Sequence, residues 1–341
     1  MIKTLALVLF LATNPCFGLA VGEEPSAETT HQHDEARFLM GTLARIQVSA
    51  SSQAEAFKCA AAGFRALDLA DSVFSTWRAD SEISHINNLA GQGPVPISDA
   101  MAEVMVAALE ISSRSGGAFD PTVLPLVELW GFRNPQPSPR PSKQDVDHCL
   151  DAVGAHLVHF KKANQTVEFS HPRTRLDFGG IAKGAALDQA AAAMMKCGAT
   201  GGMIDLGGGL LVFGHGQEQQ VGVVNPLDSN HPLAIIPLSK GSVATSGQYE
   251  RFRGDGDNTW GHILDPRTGQ PCDQGLSVTV ITDSALLADA LATACFVLGP
   301  TEGLKLLEDT PGCEGLILFE SPDGSMQLRS TVNWPDTTRV Y

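Results

Sequence analysis

The chain has 341 residues, with 38 Asp and Glu against 23 Lys and Arg, for a formal net charge of −15. Hydrophobic residues make up 43% and charged residues 18%, which excludes disorder of the whole chain because the apolar surface is sufficient to build a core. The negative charge argues against a nucleic-acid-binding protein and allows at most peripheral membrane association, since binding to nucleic acid or to anionic lipid needs a basic face. The length predicts one large domain or two ordinary ones.

The first twenty residues have the pattern of a secretory signal. Lys3 precedes the apolar run Leu5–Ala12, and small residues close the segment at Gly18 and Ala20. The run is too short to span a bilayer, which needs about 20 apolar residues. We therefore expect residues 1–20 to be a cleaved signal peptide and the protein to be exported to the periplasm.

Cysteine usage leaves two alternatives open. Cys16 suggests a lipid anchor, but the preceding Pro15 makes a poor lipidation site. None of the seven cysteines forms a CxxC pair, so neither a zinc ribbon nor a thioredoxin-type motif is supported. The other six are expected either to form disulfides, which an oxidising compartment permits, or to be buried free thiols.

The first half of the chain predicts a strand and two long helices. The polar stretch 21–36 is expected to be a flexible lead-in, followed by a strand at about 37–49. A helix is predicted over 53–73 from its apolar spacing. Another begins after Ser98 and ends at Gly116–Gly117. The proline-rich stretch 134–142 predicts a surface loop or a weak subdomain boundary.

The second half predicts short strands interrupted by two helices. The helices are expected at about 182–197 and 283–297, the latter capped by Thr282 or Asp283. No segment after the signal is expected to cross a membrane. Strand-like runs occur at 155–160, 165–170, 202–206, 210–214 and 219–225. The predicted fold class is α+β.

A double glycine precedes the helix predicted at 182–197. Backbone N–H groups at such a helix start suit a phosphate or diphosphate, and Lys183 adds a full charge. The alternative is a plain glycine turn, since the stretch matches neither a P-loop nor a dinucleotide fingerprint. A triple glycine at 207–209 similarly indicates either close approach of a ligand or of another backbone, or a bulged hairpin.

Asp289 and Thr293 are four residues apart, so they share one face of an otherwise apolar helix. A carboxylate with a hydroxyl suits a hard cation such as Mg²⁺, completed by water and substrate phosphate. The alternative is a buried aspartate paired with an arginine. His262, before the turn Asp265–Gly269, could accept a proton near neutral pH or be structural.

Several motifs occur in series and together resemble the ApbE family of FAD:protein FMN transferases from about residue 37 to about 330. They are Met40-Gly41-Thr42, Ser75-Thr76-Trp77, Asp80 to Ser84, Gly117 to Thr122, Asp177 to Gly184, Asp205 to Gly208, Val243 to Gly247, His262 to Pro271 and Thr282 to Ala294. The resemblance implies an ApbE-like (T-fold-like) architecture with two interlocked subdomains of short-stranded sheets and packed helices. It leaves residues 331–341 as a C-terminal tail.

The resemblance implies an enzyme that cuts the diphosphate of FAD with Mg²⁺, attaches FMN to a threonine or serine of a target flavoprotein through a phosphoester bond, and releases AMP. It implies metal ligation by Gly180 (backbone carbonyl), Asp289 and Thr293, and activation of the acceptor hydroxyl by His262. The implied FAD contacts are Met40, Trp77, Ala118, Phe119, Asp120, Asp177, Lys183 and Ile263. Trp77 stands where tyrosine is frequent in the family, and Lys183 where some relatives have an acidic residue.

Two other functions use the same residues. Water as the acceptor would give a FAD pyrophosphatase that produces FMN and AMP, and loss of catalysis would leave a periplasmic flavin-binding protein. The presence of Asp289, Thr293 and His262 together disfavours the binding protein. The target flavoprotein is expected, by family analogy, to be a subunit of a membrane redox complex.

Overall fold

A computed structural model describes residues 30–134, 136, 138–215, 218–228, 230–247, 252–255, 258–272, 277–335 and 339–340. The predicted signal peptide and residues 21–29 of the predicted lead-in lie outside the described residues. The described stretch of 134–142 is a loop, as predicted.

Seven α-helices occur in the described part of the chain. They are α1 (Gln53–Phe74), α2 (Glu82–Asn88), α3 (Asp99–Arg114), α4 (Leu124–Leu129), α5 (Lys143–Leu150), α6 (Ala182–Lys196) and α7 (Ala285–Glu308). The four long helices confirm the sequence predictions, including Ser98 as the N-cap of α3. The short helices α2, α4 and α5 were not predicted.

Eight of the eighteen described strands pair in antiparallel order in one large sheet, β1-β2-β6-β7-β10-β15-β16-β17, and the other ten form four smaller sheets. The strands are β1 (His31–Leu39), β2 (Thr42–Ala50), β3 (Val95–Pro96), β4 (Val158–Lys161), β5 (Thr166–Phe169), β6 (Gly201–Leu206), β7 (Gly209–Gly214), β8 (Gln219–Val223), β9 (Ala234–Leu238), β10 (Gly241–Gly247), β11 (Phe252–Asp255), β12 (Asn258–Gly261), β13 (Leu264–Asp265), β14 (Gln270–Pro271), β15 (Ser277–Thr282), β16 (Glu314–Glu320), β17 (Met326–Ser330) and β18 (Arg339–Val340). The run predicted as a strand from 155 begins as a 3₁₀ turn, Ala155–Leu157.

The expectation of a flexible lead-in over 21–36 is wrong for residues 31–36, which belong to the edge strand β1. This strand is polar because it lies at the edge of the sheet with most of its side chains exposed. Its pairing with β2 is reinforced by Asp34, which accepts a hydrogen bond from Nε of Arg45 at 2.9 Å. Because most of its side chains are exposed, this strand has no hydrophobic alternation from which the sequence could predict it.

Both faces of the large sheet are covered, so alternate residues of one strand enter different cores. Ile204 and Leu206 of β6 pack with residues of α1, α6 and α7. Met203 of the same strand packs instead with the sheet formed by β8, β9 and β18. This arrangement makes the central strands apolar on both sides and places α6 and α7 on one face.

The helix α7 corrects one sequence expectation. No segment able to cross a membrane was expected from the sequence, but this helix is long and apolar enough to do so. In the fold, 61% of its most apolar stretch is buried, as in a core helix. It is also interrupted at Gly299, whose φ of 78° is non-helical. Cys59, Cys295 and Cys313 are buried thiols outside any disulfide, so the second alternative holds for these three, whereas Cys149 and Cys197 are reduced but only half-buried.

Asn87 of α2 fixes the strand-like segment that leads to the double glycine. Its side-chain amide donates to the carbonyl of Leu176 at 2.9 Å, and its side-chain oxygen accepts from the backbone N–H of Leu176 at 2.7 Å. Both residues are buried. These two hydrogen bonds satisfy the buried N–H and carbonyl of Leu176, which lies outside the described strands.

We predict that Asn87→Ala lowers the free energy of unfolding by roughly 2–4 kcal/mol, because it leaves a buried N–H and a buried carbonyl without partners. Urea unfolding monitored by circular dichroism measures the change. The exposed neighbour Asn88 provides the matched control, and Asn88→Ala should change stability by no more than about 0.5 kcal/mol. Equal effects of the two substitutions would contradict the role given to Asn87.

Asp205 of β6 is a carboxylate in an apolar setting. Desolvation by burial raises the pKa of Asp205 to about 6, and the charge of Arg45 on the neighbouring strand opposes the rise. In the unfolded chain an aspartate titrates near its usual pKa of about 3.9. Ionised Asp205 therefore destabilises the folded state above about pH 6, and the cost disappears below the unfolded pKa.

We predict that Asp205→Asn becomes progressively more favourable as the pH rises. The difference in unfolding free energy, variant minus wild type, should increase by about 2–3 kcal/mol from pH 4 to pH 8, since the neutral amide avoids ionisation. Urea titrations of both proteins at each pH measure this difference. A difference that stays constant across the range would refute the raised pKa.

Candidate functional site

Two hairpin turns lie side by side at one end of the large sheet. Met40 and Gly41 form the turn between β1 and β2, and Gly207 and Gly208 form the turn between β6 and β7; all four have positive φ. The turns are adjacent because β2 pairs with β6, and a Cβ on Gly207 would lie 2.7 Å from the Thr42 side chain. The triple glycine therefore forms a tight hairpin rather than a bulge.

The helix α6 begins at this end of the sheet. The Nζ of Lys183 donates to the carbonyl oxygen of Gly207 at 3.1 Å. The side chain of Lys183 is half-buried. Its hydrogen bond ties the first turn of the helix to the β6–β7 turn.

The amides at the start of α6 are already bonded within the protein. The N–H of Ala182 donates to the carbonyl of Phe178 at 2.8 Å. The N–H of Gly184 donates to Oδ2 of Asp289 at 3.0 Å, and the N–H of Lys183 also bonds to the Asp289 carboxylate. Phosphate binding by the helix-start amides, one of the two alternatives for this stretch, therefore has no support at residues 182–184, because a carboxylate of α7 already bonds to amides there.

The two helices cap each other. Asp289 of α7 caps the start of α6, while Asp188 of α6 accepts bonds at 2.9–3.0 Å from the N–H groups of Ala285 and Leu286 at the start of α7. The N-cap of α7 is Ser284 rather than the predicted Thr282 or Asp283. A carboxylate at each helix N-terminus complements the helix dipole.

The reciprocal caps require close contact between the helices. A Cβ on Gly184 would lie 2.1 Å from the carbonyl oxygen of Ala285, so only glycine fits at that position.

The three predicted metal ligands are neighbours. Thr293 follows Asp289 by one turn of α7, and its hydroxyl donates to the Asp289 backbone carbonyl at 3.2 Å. Gly180 lies against it, since a Cβ there would be 2.9 Å from Oγ1 of Thr293. The hydroxyl of Ser246, at the end of β10, lies 3.4 Å from the same Oγ1.

This group fits a hard cation that takes part of its coordination shell from water and substrate. A carboxylate, a hydroxyl and a nearby backbone carbonyl are oxygen donors of the type Mg²⁺ prefers. The tight cradle at Gly180 keeps the loop backbone close to Thr293. Among the described residues there is no cluster of three or more His, Cys, Asp or Glu side chains able to hold a metal by themselves.

The environment of Asp289 places opposing influences on its charge. Burial raises the pKa of Asp289 above its usual value, and the positive charge of Lys183 and the bonds from the Gly184 and Lys183 amides offset only part of that rise. The alternative of a buried aspartate paired with arginine is not what the structure has, because lysine and backbone amides are its partners. A divalent cation would add to the influences that favour the carboxylate.

The predicted flavin contacts Ala118, Phe119 and Asp120 form a buried loop that reaches Gly180. A Cβ on Gly180 would be 3.3 Å from Cε2 of Phe119. Asp120 bonds within the protein: Oδ1 accepts from the N–H and hydroxyl of Thr122, and Oδ2 accepts from the N–H of Ala155 at 2.8 Å. Its carboxylate thus holds two loops together.

Asp177 connects that loop to the double glycine. Its N–H donates to the Pro121 carbonyl at 2.8 Å, and its Oδ1 accepts from the N–H of Gly179 at 2.6 Å. The stretch Asp177–Gly180 is therefore placed by backbone and side-chain bonds together.

His262 and Ile263 precede the β13–β14 hairpin. The Ile263 carbonyl accepts from the N–H of Cys272 at 3.0 Å, and His262 is half-buried. The hairpin is anchored at its turn, where the Gly269 carbonyl accepts from Nε1 of Trp130 at 2.8 Å. The predicted turn at Asp265–Gly269 is confirmed.

A cavity of about 410 Å³ lies between this turn and the 117–120 loop. It is lined by residues that include Gly117, Asp120, Gly154, His156 and Arg267. The volume is within the range of small-molecule pockets. Asp120 is the predicted site residue that lines it.

Trp77 is a strongly exposed residue among the predicted flavin contacts. It lies in the turn after α1 with 62% of its surface exposed. The guanidinium of Arg133 lies 4.7 Å from its ring centroid, as in a cation–π contact. An exposed aromatic held in this way can cover a planar ring.

Three residues that support the site were not singled out from the sequence. Asn87 and Asp188 act on backbone distant in sequence, so no local motif marks them. Ser246 lies in the Val243–Gly247 motif, but its approach to Thr293 depends on the pairing of β10 with its neighbours.

The sequence matches the ApbE family over residues 40–317. It is 32% identical over 344 aligned residues to the FAD:protein FMN transferase of Treponema pallidum, covering 95% of this chain and 94% of that protein. The structure is similar to the ApbE protein of Thermotoga maritima (TM-score 0.79, 33% identity, 87% of this chain and 96% of that one) and to the flavin transferase ApbE of Vibrio cholerae (TM-score 0.77, 26% identity, 89% and 98%).

These structural neighbours confirm the α+β, ApbE-like fold class predicted from the sequence. The matched region includes the loops and helices that carry the predicted metal ligands and flavin contacts. The chain belongs to the ApbE family.

Proposed function

We propose that the protein is a Mg²⁺-dependent FAD:protein FMN transferase that cleaves the FAD diphosphate, attaches FMN by a phosphoester bond to a threonine or serine of a target flavoprotein, and releases AMP. The observation that carries the proposal is the grouping of Gly180, Asp289 and Thr293 at the start of α6, within the region matched to the family. The names of the similar proteins support the transferase class.

Asp289, Thr293 and the backbone carbonyl of Gly180 would hold the metal. Bound Mg²⁺ would neutralise part of the negative charge of the diphosphate. Lys183 contributes a second positive charge beside Asp289 and keeps the β6–β7 turn against α6. These residues orient the phosphates and balance their charge.

His262 is proposed to accept the proton of the acceptor hydroxyl as that oxygen attacks phosphorus. A positioned base of this kind contributes about 10²- to 10⁴-fold. The Ile263 carbonyl, bonded to the N–H of Cys272, fixes the backbone immediately after the histidine. Trp77 and Met40 are proposed to contact the flavin from the turns that follow α1 and β1.

Export to the periplasm and action on a subunit of a membrane redox complex complete the proposal. Both rest on the signal-like first twenty residues and on family analogy. The function is tested by incubating the protein with FAD, Mg²⁺ and a flavoprotein carrying the family's acceptor motif, followed by in-gel detection of covalent flavin fluorescence. Release of FMN and AMP with no labelled acceptor would instead establish a pyrophosphatase.

We predict that Asp289→Asn reduces Mg²⁺-dependent FAD turnover by at least about 100-fold, because removing the charge weakens metal binding and its stabilisation of the transition state. The asparagine keeps the size of the side chain and an oxygen that can still accept from the Gly184 N–H. Chromatographic measurement of FMN and AMP release at varied Mg²⁺ reports the loss.

Asp188→Asn is the matched control for this substitution. It weakens the corresponding cap on α7 and should cost a similar stability of about 1 kcal/mol, while turnover stays within a few-fold of wild type. Wild-type turnover by Asp289→Asn, or equal losses in both variants, would refute the metal role of Asp289.

We predict that His262→Ala still binds FAD but loses FMN transfer by about 10²- to 10⁴-fold, since the base is removed and the binding loops remain. Quenching of FAD fluorescence measures binding, and the gel assay measures transfer. His215→Ala, at an exposed histidine after β7, should preserve both. Failure of His262→Ala to bind FAD would assign the histidine to binding instead of proton transfer.

A further inference from the structure

Two cysteines from distant parts of the sequence meet where α1 packs on α6. Cys59 lies in α1 and is fully buried. Cys197, the C-cap residue of α6, is half-buried. The N–H of Thr200, just after α6, donates to the carbonyl of Ser49, just before α1, at 2.9 Å, so the end of α6 lies beside the start of α1. The two thiols are near enough for Cys197 to contribute to the raised pKa of Cys59.

The helices come close together at this point. One turn after Cys59, a Cβ on Gly63 would lie 2.6 Å from Sδ of Met194, and Met194 lies one turn before Cys197. The helices therefore run antiparallel through this contact. Small residues on α1, Ala56 and Ala60, are buried on the same face as Cys59, and such a close approach brings the backbones toward the spacing that a disulfide requires.

We propose that Cys59 and Cys197 are a redox-active pair that forms a reversible disulfide joining α1 to the end of α6. The inference concerns a modification site separate from the flavin chemistry, and it does not depend on the proposed function.

The oxidant is a small-molecule disulfide such as oxidised glutathione. The Cys197 thiolate attacks one sulfur of that disulfide and releases one glutathione thiolate. The Cys59 thiol then attacks Sγ of Cys197 and releases the second glutathione, whose sulfur takes up the proton that Cys59 loses. Two protein thiols and one small disulfide thus yield one protein disulfide and two small thiols.

Accessibility sets the order of these steps. Burial foremost, and then the adjacent Cys197, raises the pKa of the Cys59 thiol to about 12, so Cys59 remains protonated in the reduced protein. The half-buried Cys197 is the sulfur that a solvent-borne oxidant reaches first.

The position of the pair gives the disulfide a structural effect. The start of α6 is held by Asp289, whereas its end lies beside α1. A covalent link there closes a long loop of the unfolded chain and stabilises the folded state through the unfolded-state entropy. Both ends of the helix that begins at the candidate metal site would then be fixed.

The experiment treats the full chain with oxidised glutathione, blocks remaining thiols by alkylation, and maps tryptic peptides. A disulfide between the peptide 59–65 and the peptide 197–240 is expected, with a mass decrease of about 2 Da for the loss of two hydrogens. A glutathione adduct that persists on Cys197, or two alkylated thiols at Cys59 and Cys197, would overturn the proposal.

Thermal unfolding gives a second measurement that needs no substitution. The oxidised protein should have a Tm higher by roughly 5–10 °C, and dithiothreitol should reverse the shift. Cys197→Ala should abolish both the cross-link and the shift. Cys149→Ala, at another half-buried cysteine, should retain them. A cross-link or shift that survives in Cys197→Ala would assign the effect to other cysteines and refute the pair.

Discussion

The exchange of carboxylate caps between α6 and α7 is the interaction on which the candidate site depends. Asp289 satisfies amides at the start of α6 and Asp188 satisfies amides at the start of α7. The exchange is possible because Gly184 lets the helices approach to backbone contact. Asp289 therefore has a fixed position before any cation arrives, and a preorganised ligand loses less conformational freedom on binding.

The same capping changes the interpretation of the glycine-rich loop. A free helix N-terminus would attract phosphate, but here a carboxylate occupies amides of the first turn. A cation at Asp289 would compete with those amides for the carboxylate oxygens. In the proposed function, the positive charge toward a diphosphate would come from Lys183 and bound Mg²⁺, so recognition of phosphate would depend on charged groups more than on the helix dipole.

Sequence patterns predicted the long helices because caps and apolar periodicity are local signals. The short helices α2 and α5 were missed although Ser81 and Ser142 cap them, because one or two turns contain too few apolar residues to establish a period. The strand β1 was missed because an exposed edge strand has no hydrophobic alternation. The residues of the candidate site were predicted from the ordered family motifs, whereas Asp188 and Asn87 act across about 90 or more residues of sequence and leave no local pattern.

Lys183 connects the charge of Asp289 with the packing of the neighbouring turn. The lysine bonds to the Gly207 carbonyl and opposes the rise in the pKa of Asp289 that burial causes. An acidic residue at this position would repel the Asp289 carboxylate and could not donate to that carbonyl in its ionised form. The lysine instead links the first turn of α6 to the β6–β7 turn. One side chain therefore favours the charged state of Asp289 and holds the two turns together. A lysine at this position is thus compatible with a cation site at Asp289.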